Sequence, residues 1–224
     1  MNLLNDSVRG QLRQALGDLP GAVELELHAP GADEASEVMR SLLGEMVETL
    51  PALRVRDAVE APVLEPGHDT GVAIEGPVLT VRRSGEAGSG VRFVGMTVGL
   101  EFASLVEAIR QAGTGQSALG RGTREALSAL EAPVHIQVFT TPSCPYCPQA
   151  VRIAHEMAFV SDKVVADMVD ASTFQGLSEK YGVMGVPAQY FNGGLVQVGL
   201  APEGVVLEHV QRAARLAGAG EAAS

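Results

Sequence analysis

Two halves of this chain carry the same succession of secondary-structure patterns, and they share wording. The segment IEGPVLTV, residues 74–81, answers MGVPAQYF, residues 184–191, which sets Pro77 opposite Pro187. FVGM answers VQVGL before the closing helix of each half. A duplicated unit is the simplest account, and it restricts the chain to folds in which one α/β pattern is built twice.

In the first half, periodicity predicts a helix from Leu3 to Leu16, a strand from Ala22 to His28 and a helix from Glu34 to Leu50. In that last helix Val38, Leu42, Met46 and Leu50 recur at helical spacing. Strands are expected at Leu53–Val59, Pro77–Arg82 and Val91–Val94, with a Pro- and Gly-rich loop before the second and the turn GEAGSG before the third. A helix over Glu101–Gln111 closes the unit. The stretch GTGQSALGRG has the composition of a linker, and it divides the chain into residues 1–116 and 117–224. After it come a helix at Thr123–Leu130, a strand at Val134–Phe139, a helix reaching Phe159, a strand at Lys163–Asp170 and a helix at Thr173–Tyr181. A hairpin, Pro187–Phe191 and Leu195–Val198, turns at Asn192-Gly193, and Glu203–Leu216 is the last helix.

The thiols are confined to one place in this pattern. Cys144 and Cys147 are the two cysteines of the 224 residues, and they follow a strand and open a helix in VHIQVFTTPSCPYCP. The matching turn of the first half, HAPGADEAS, has none. At a helix start the unpaired backbone N–H groups and the positive end of the dipole stabilise an anion, and only a thiolate attacks a disulfide. Cys144 is therefore expected to attack, and Cys147, one turn further in, to resolve the mixed disulfide. Pro145 suits a first helical turn, and Pro148 is tolerable while still in it. Two other readings stand beside this one. Half a zinc site would need partners, but there is no second C-x-x-C, His135 falls within a strand pattern and His155 is expected at the surface. A purely structural pair would be packed, whereas prolines and a tyrosine around the motif favour an exposed turn.

The composition, 46% hydrophobic, supplies a core, and the net charge of −11 with no basic stripe excludes nucleic acid as a partner. The first residues, MNLLNDSVRGQLRQ, lack a signal-peptide pattern, and no stretch approaches the length of a membrane span. A cytoplasmic location is expected, and a lone C-x-x-C agrees with a reducing compartment.

The alternation of elements, the Cys-Pro-Tyr-Cys at a helix start and the Val186-Pro187 step before a hairpin strand resemble the thioredoxin fold. The duplication resembles tandem-thioredoxin, glutaredoxin-like disulfide oxidoreductases. More narrowly, SCPYCPQAV, TFQ with YGVMGVPAQYFNG, and GVRFVGMTVGLEFASLVEAI are similar to the N-terminal module of the alkyl hydroperoxide reductase flavoprotein subunit. The resemblance implies an α/β chain of two tandem thioredoxin-like folds, central mixed sheets flanked by helices, the first degenerate and without cysteines. It also implies electron transfer from a flavin-bearing, thioredoxin-reductase-like portion to a peroxiredoxin. No Gly-rich dinucleotide-binding segment follows the second fold here, so no flavin or other cofactor site is expected on these residues. The donor would be a separate flavoprotein reductase.

The same resemblance assigns roles. Pro187 is implied to be cis and to face the cysteines, with the backbone of Val186 pairing with a substrate strand. The strand before the motif carries no acid, yet Cys147 must lose a proton when it attacks. Glu101, in Gly-Leu-Glu-Phe, matches a Gly-His-Glu-Phe glutamate held near the active cysteines; an acid at a helix start is also simply a favourable first-turn charge. Tyr146 and Thr141 would line the rim, by contact with a partner or merely in solvent. Thr141-Pro142-Ser143 and Gly185 put no cation where glutaredoxins hold glutathione, which makes glutathione the weaker donor. The leading expectation is a dithiol-disulfide oxidoreductase reducing a peroxiredoxin or other disulfide-bearing protein. The alternatives are a protein disulfide oxidase or isomerase, and a redox-gated binding module with little turnover.

Overall fold

The computed structural model describes residues 3–58, 76–85 and 90–221. Val59, the loop expected after it up to residue 75 and most of the GEAGSG turn lie outside these residues. Helix α1 (Asp6–Leu16) starts three residues later than the periodicity suggests. The reason is local: the amides of Leu3 and Leu4 donate instead to the Glu45 carboxylate, at 2.8 and 2.9 Å, and Asn5 caps the helix through Val8 N–H. Strand β1 (Val23–His28) alternates strictly, burying Val23, Leu25 and Leu27. Helix α2 (Glu34–Thr49) is capped by Asp33, which accepts from Ser36 N–H. Strands β2 (Leu53–Asp57), β3 (Val78–Arg83) and β4 (Val91–Val94), a 3₁₀ turn (Gly99–Glu101) and α3 (Phe102–Thr114) complete the first half.

The second half runs α4 (Arg121–Ser128), β5 (Val134–Thr140), α5 (Cys147–Val160), β6 (Val164–Asp170), α6 (Gln175–Lys180), β7 (Ala188–Phe191), β8 (Leu195–Val198) and α7 (Glu203–Glu221). The expected linker is tied down: the Glu156 carboxylate of α5 accepts from Ser117 Oγ and Ala118 N–H, and Glu203 of α7 accepts from Gly120 N–H.

The repeat is explicit in the sheet. In each half a central strand pairs in parallel with one neighbour and antiparallel with the other, β1 with β2 and β3, β5 with β6 and β7. The fourth strand then pairs antiparallel with the third. Even the exits match: Gly95 N–H donates to Pro77 C=O and Gly199 N–H to Pro187 C=O, both at 2.8 Å, with both glycines at positive φ. The two mixed sheets are not separate. β4 pairs in parallel with β6, giving one eight-stranded sheet in the order β2-β1-β3-β4-β6-β5-β7-β8.

One face of this sheet packs against α1, α2, α3, α4, α5 and α7 through a continuous apolar core, whose largest side chains include Phe93, Phe191, Leu25, Met39 and Ile109. The other face carries a smaller cluster in the second half, where α6 lays Leu177 over Val169, Phe139 and Tyr190. On this second face the seam between the halves is ionic. Arg92 of β4 stands opposite Asp167 of β6 and forks onto its carboxylate at 2.5 and 2.9 Å, and His135 Nε2 of β5 lies 2.8 Å from the same group. Burial alone would raise the Asp167 pKa; the Arg92 guanidinium and His135 outweigh it and hold the carboxyl below its ordinary value.

Arg92→Ala is expected to cost about 3–5 kcal/mol in urea unfolding at pH 7, because it leaves a buried carboxylate without its main counter-charge. The native pair's contribution is fully present above 3.8, the ordinary value, and is lost as pH falls through the lower folded one. The wild-type protein should therefore lose stability below pH 3.8 more steeply than the variant.

Candidate active site

Strand β5 ends at Thr140, and the chain turns through Thr141 to Tyr146 before α5 begins. Cys144 N–H closes this turn onto Thr141 C=O at 3.1 Å. The helix begins at Cys147, not at Cys144, so Pro145 lies outside it and Pro148 sits in its first turn, where no N–H is missed. The Cys144 and Cys147 sulfurs are bonded, with Cα atoms 5.5 Å apart. The turn is only partly the exposed one expected. Tyr146 is 62% exposed and Pro145 is exposed, but Cys144 keeps 7% of its surface and Cys147 none. Of the two, Cys144 alone keeps any accessible surface.

The two halves differ at their helix starts. The first turn of α2 is occupied by the Asp33 carboxylate, whereas α5 has Tyr146 at its cap position and no side-chain cap. The N–H groups of α5 are left to stabilise a sulfur anion at Cys144, a favourable interaction of the same kind that Asp33 provides permanently in the first half.

The hairpin register puts Ala188 of β7 opposite Phe139 of β5, which brings Val186 and Pro187 beside the end of β5 and the cysteine turn. The Val186-Pro187 bond is cis, the one such bond among the described residues. Pro187 is buried and Val186 half-buried against the smaller apolar cluster. Met184, just before them, is 97% exposed, and Thr141 is half-buried.

Glu101 reaches this place from the first half. The 3₁₀ turn that carries it packs against α5, and Leu100 N–H of that turn donates to Pro142 C=O at 3.1 Å. The Glu101 side chain is buried; Oε2 accepts from Ser104 Oγ at 2.8 Å, and Oε1 has no hydrogen-bond partner among the described residues. Burial, opposed by the Ser104 bond and helped by the charge of Asp170 at the end of β6, pushes its pKa up to about 7 from 4.5. A carboxyl that is half-protonated near neutrality can both take and return a proton.

Both histidines weighed as metal ligands are occupied otherwise. His135 belongs to the ionic seam. His155 is buried rather than on the surface, because α5 turns it inward: Nε2 lies 3.1 Å from Arg92 C=O and the ring meets Phe93 edge-on. Burial lowers its pKa to about 4, so it is neutral at pH 7. Sequence reasoning also passes over Gln189, fully buried next to Val138 with neither amide atom partnered among the described residues, and the Gly99–Pro142 approach. A polar residue inside an apolar strand run is the available signal for the first; only the fold reveals the second.

These features, a tandem thioredoxin arrangement with a bonded Cys-Pro-Tyr-Cys pair in its second copy, define the class. Residues 134–211 match the model of the thioredoxin domain. The chain is homologous to the N-terminal region of the alkyl hydroperoxide reductase AhpF. It is 28% identical to AhpF from Staphylococcus epidermidis over 191 residues, covering 85% of this chain and 34% of the relative. AhpF from Staphylococcus aureus is 29% identical over the same shares. The chain thus spans about a third of the length of the curated relatives it matches. Among solved structures, the N-terminal domain of Enterococcus faecalis AhpF superposes with a TM-score of 0.80 at 24% identity, covering 92% of this chain and 99% of that one. A protein disulfide oxidoreductase from Aeropyrum pernix gives a TM-score of 0.80 at 29% identity, covering 94% of each chain.

Because the Glu101 pKa is raised on folding, the group favours the folded state fully below 4.5, and that contribution is lost as pH rises through about 7. Glu101→Gln should therefore be more stable than wild type at pH 8, by an amount on the order of 3 kcal/mol, and no more stable at pH 4. Thermal unfolding at the two pH values checks this.

Proposed function

We propose that the chain is a dithiol-disulfide oxidoreductase that carries electrons from a flavoprotein reductase of the thioredoxin-reductase kind to a peroxiredoxin or another disulfide-bearing protein. The observation that carries the reading is the Cys144–Cys147 bond at an uncapped helix start, where Cys144 keeps a little accessible surface and Cys147 none. In the reduced protein the Cys144 thiolate attacks one sulfur of the partner disulfide, and the other partner sulfur leaves as a thiolate. Cys147 then attacks Cys144, its proton passing to Glu101, and the second partner sulfur leaves. Two electrons have moved to the partner, and the Cys144–Cys147 bond is restored for the reductase to open.

In this reading Val186 offers its backbone to the partner strand, Pro187 shapes the wall facing the sulfurs, and Tyr146 and Thr141 form the rim. Residues 1–116 act as a redox-silent unit that supplies Glu101, and residues 117–224 as the redox unit. A cytoplasmic location fits a reductant; among the described residues, no helix is long and apolar enough to cross a membrane. A second reading, disulfide oxidase or isomerase, uses the same residues at a higher potential. It is favoured by the likeness to the Aeropyrum protein disulfide oxidoreductase over 94% of both chains.

Cys147→Ser should accumulate partners as mixed disulfides on Cys144, whereas Cys144→Ser should hold none; non-reducing gels and mass spectrometry of the captured species read this directly. Equal capture by both variants would overturn the assignment of roles. The reduction potential of the pair separates the two readings: a value near about −270 mV marks a reductant, and one near about −120 mV an oxidant. Reductase-coupled turnover on a peroxiredoxin tests the relay itself, and Glu101→Gln should slow it with little loss of fold.

A further inference from the structure

The 3₁₀ turn of the first half touches the cysteine turn of the second more closely than a side chain would allow. A Cβ placed on Gly99 would lie 2.6 Å from the Pro142 carbonyl oxygen and 3.2 Å from Pro142 Cβ, and Gly99 has φ +62°, in the left-handed region. The next residue, Leu100, donates its N–H to that same carbonyl at 3.1 Å. The next again is Glu101, buried against α5 with Oε1 unpartnered. Pro142 in turn stands two residues before Cys144, in the turn closed by Cys144 N–H on Thr141 C=O. One backbone hydrogen bond and one missing side chain therefore fix the position of a first-half carboxylate relative to a second-half dithiol.

We propose that Gly99 and Leu100 are positioning residues for the resolving step, clamping Pro142 so that Glu101 is held where it takes the Cys147 proton. The proposal rests on the oxidoreductase reading and gives the silent half a mechanical task in it. The β4–β6 pairing brings the two turns together, and this contact sets the final distance over which the proton travels. Displacement of a reacting group by about 1 Å can cost up to about 100-fold in rate.

The test uses the reduced full chain mixed rapidly with dithiobis-nitrobenzoate, an aromatic disulfide whose thiolate product absorbs visible light. Attack by Cys144 releases the first aromatic thiolate and leaves a mixed disulfide. Attack by Cys147 on Cys144 releases the second, closes the Cys144–Cys147 bond and gives its proton to Glu101. The two releases report the two steps separately. In Gly99→Ala the added methyl must push Pro142 away, and the second phase should slow by about 10-fold or more while the first stays near the wild-type rate. Gly85→Ala is the control: it also puts a methyl at positive φ, +86°, but nothing among the described residues lies within 4 Å of that methyl, and both its phases should match wild type. Leu100→Pro, which removes the donor and adds nothing at position 99, should also slow the second phase alone.

The proposal is overturned if the second phase of Gly99→Ala or of Leu100→Pro keeps the wild-type rate, or if Gly85→Ala slows as much. If Gly99→Ala does not fold, Leu100→Pro decides alone. If the wild-type first phase is no faster than that of free cysteine, the oxidoreductase reading itself fails and the proposal falls with it, a result distinct from a selective change in the second phase.

Discussion

The parallel pairing of β4 with β6 is the constraint on which the rest depends. It turns two short sheets into one and removes two of the four edges that separate units would expose. It also sets the halves at a fixed offset, and that offset is what brings the 3₁₀ turn after β4 over the cysteine turn after β5. The seam is held differently on its two faces. Apolar side chains, Val91 and Phe93 against Ala166 and Met168, meet on the helix-covered face, and Arg92, Asp167 and His135 meet on the other. Apolar contact is tolerant of sliding, but a forked guanidinium on a carboxylate is not, so the ion cluster specifies the register that the core alone would leave loose.

The arrangement separates tasks that a single thioredoxin unit would combine. Strand β5 is buried along its whole length and carries no carboxylate, so in the proposed reading the acid that serves the sulfurs is not on it. Glu101, the residue proposed for it, comes from the other half on the short turn between β4 and α3, where burial raises its affinity for a proton. Placing the carboxyl on a different unit lets its environment be set by the packing of α3 and α5 without disturbing the strand that anchors the cysteine turn.

Much of this is readable from the chain. Alternation in β1, the helical repeat of Leu42 and Met46, the Asn192-Gly193 turn and the paired Pro77 and Pro187 announce the elements and their duplication. The Cys-Pro-Tyr-Cys run announces the site. What the residues do not announce depends on contacts between distant segments. The late start of α1 follows from Glu45 capturing the amides of Leu3 and Leu4, 42 and 41 positions away. His155 reads as a surface residue because the core surrounds more of α5 than an ordinary amphipathic stripe, burying even Glu156. The fusion of the two sheets is hidden for a similar reason: β4 is a four-residue strand with nothing in its own sequence to say that its outer edge is occupied.

The two helix starts, α2 and α5, occupy the same place in the repeat and have been given different anions. In the first half the negative charge is a carboxylate at Asp33, permanent under ordinary conditions. In the second no side chain caps the start, and in the proposed reading a reduced Cys144 supplies the anion. In that reading the stability of α5 is tied to redox state while that of α2 is indifferent to it: the oxidised chain has one helix with a capping carboxylate and one without a side-chain cap. Reduction would then complete the second copy, and the folded chain would itself be a partner in the electron balance, drawing charge toward Cys144 by the backbone it has left uncapped.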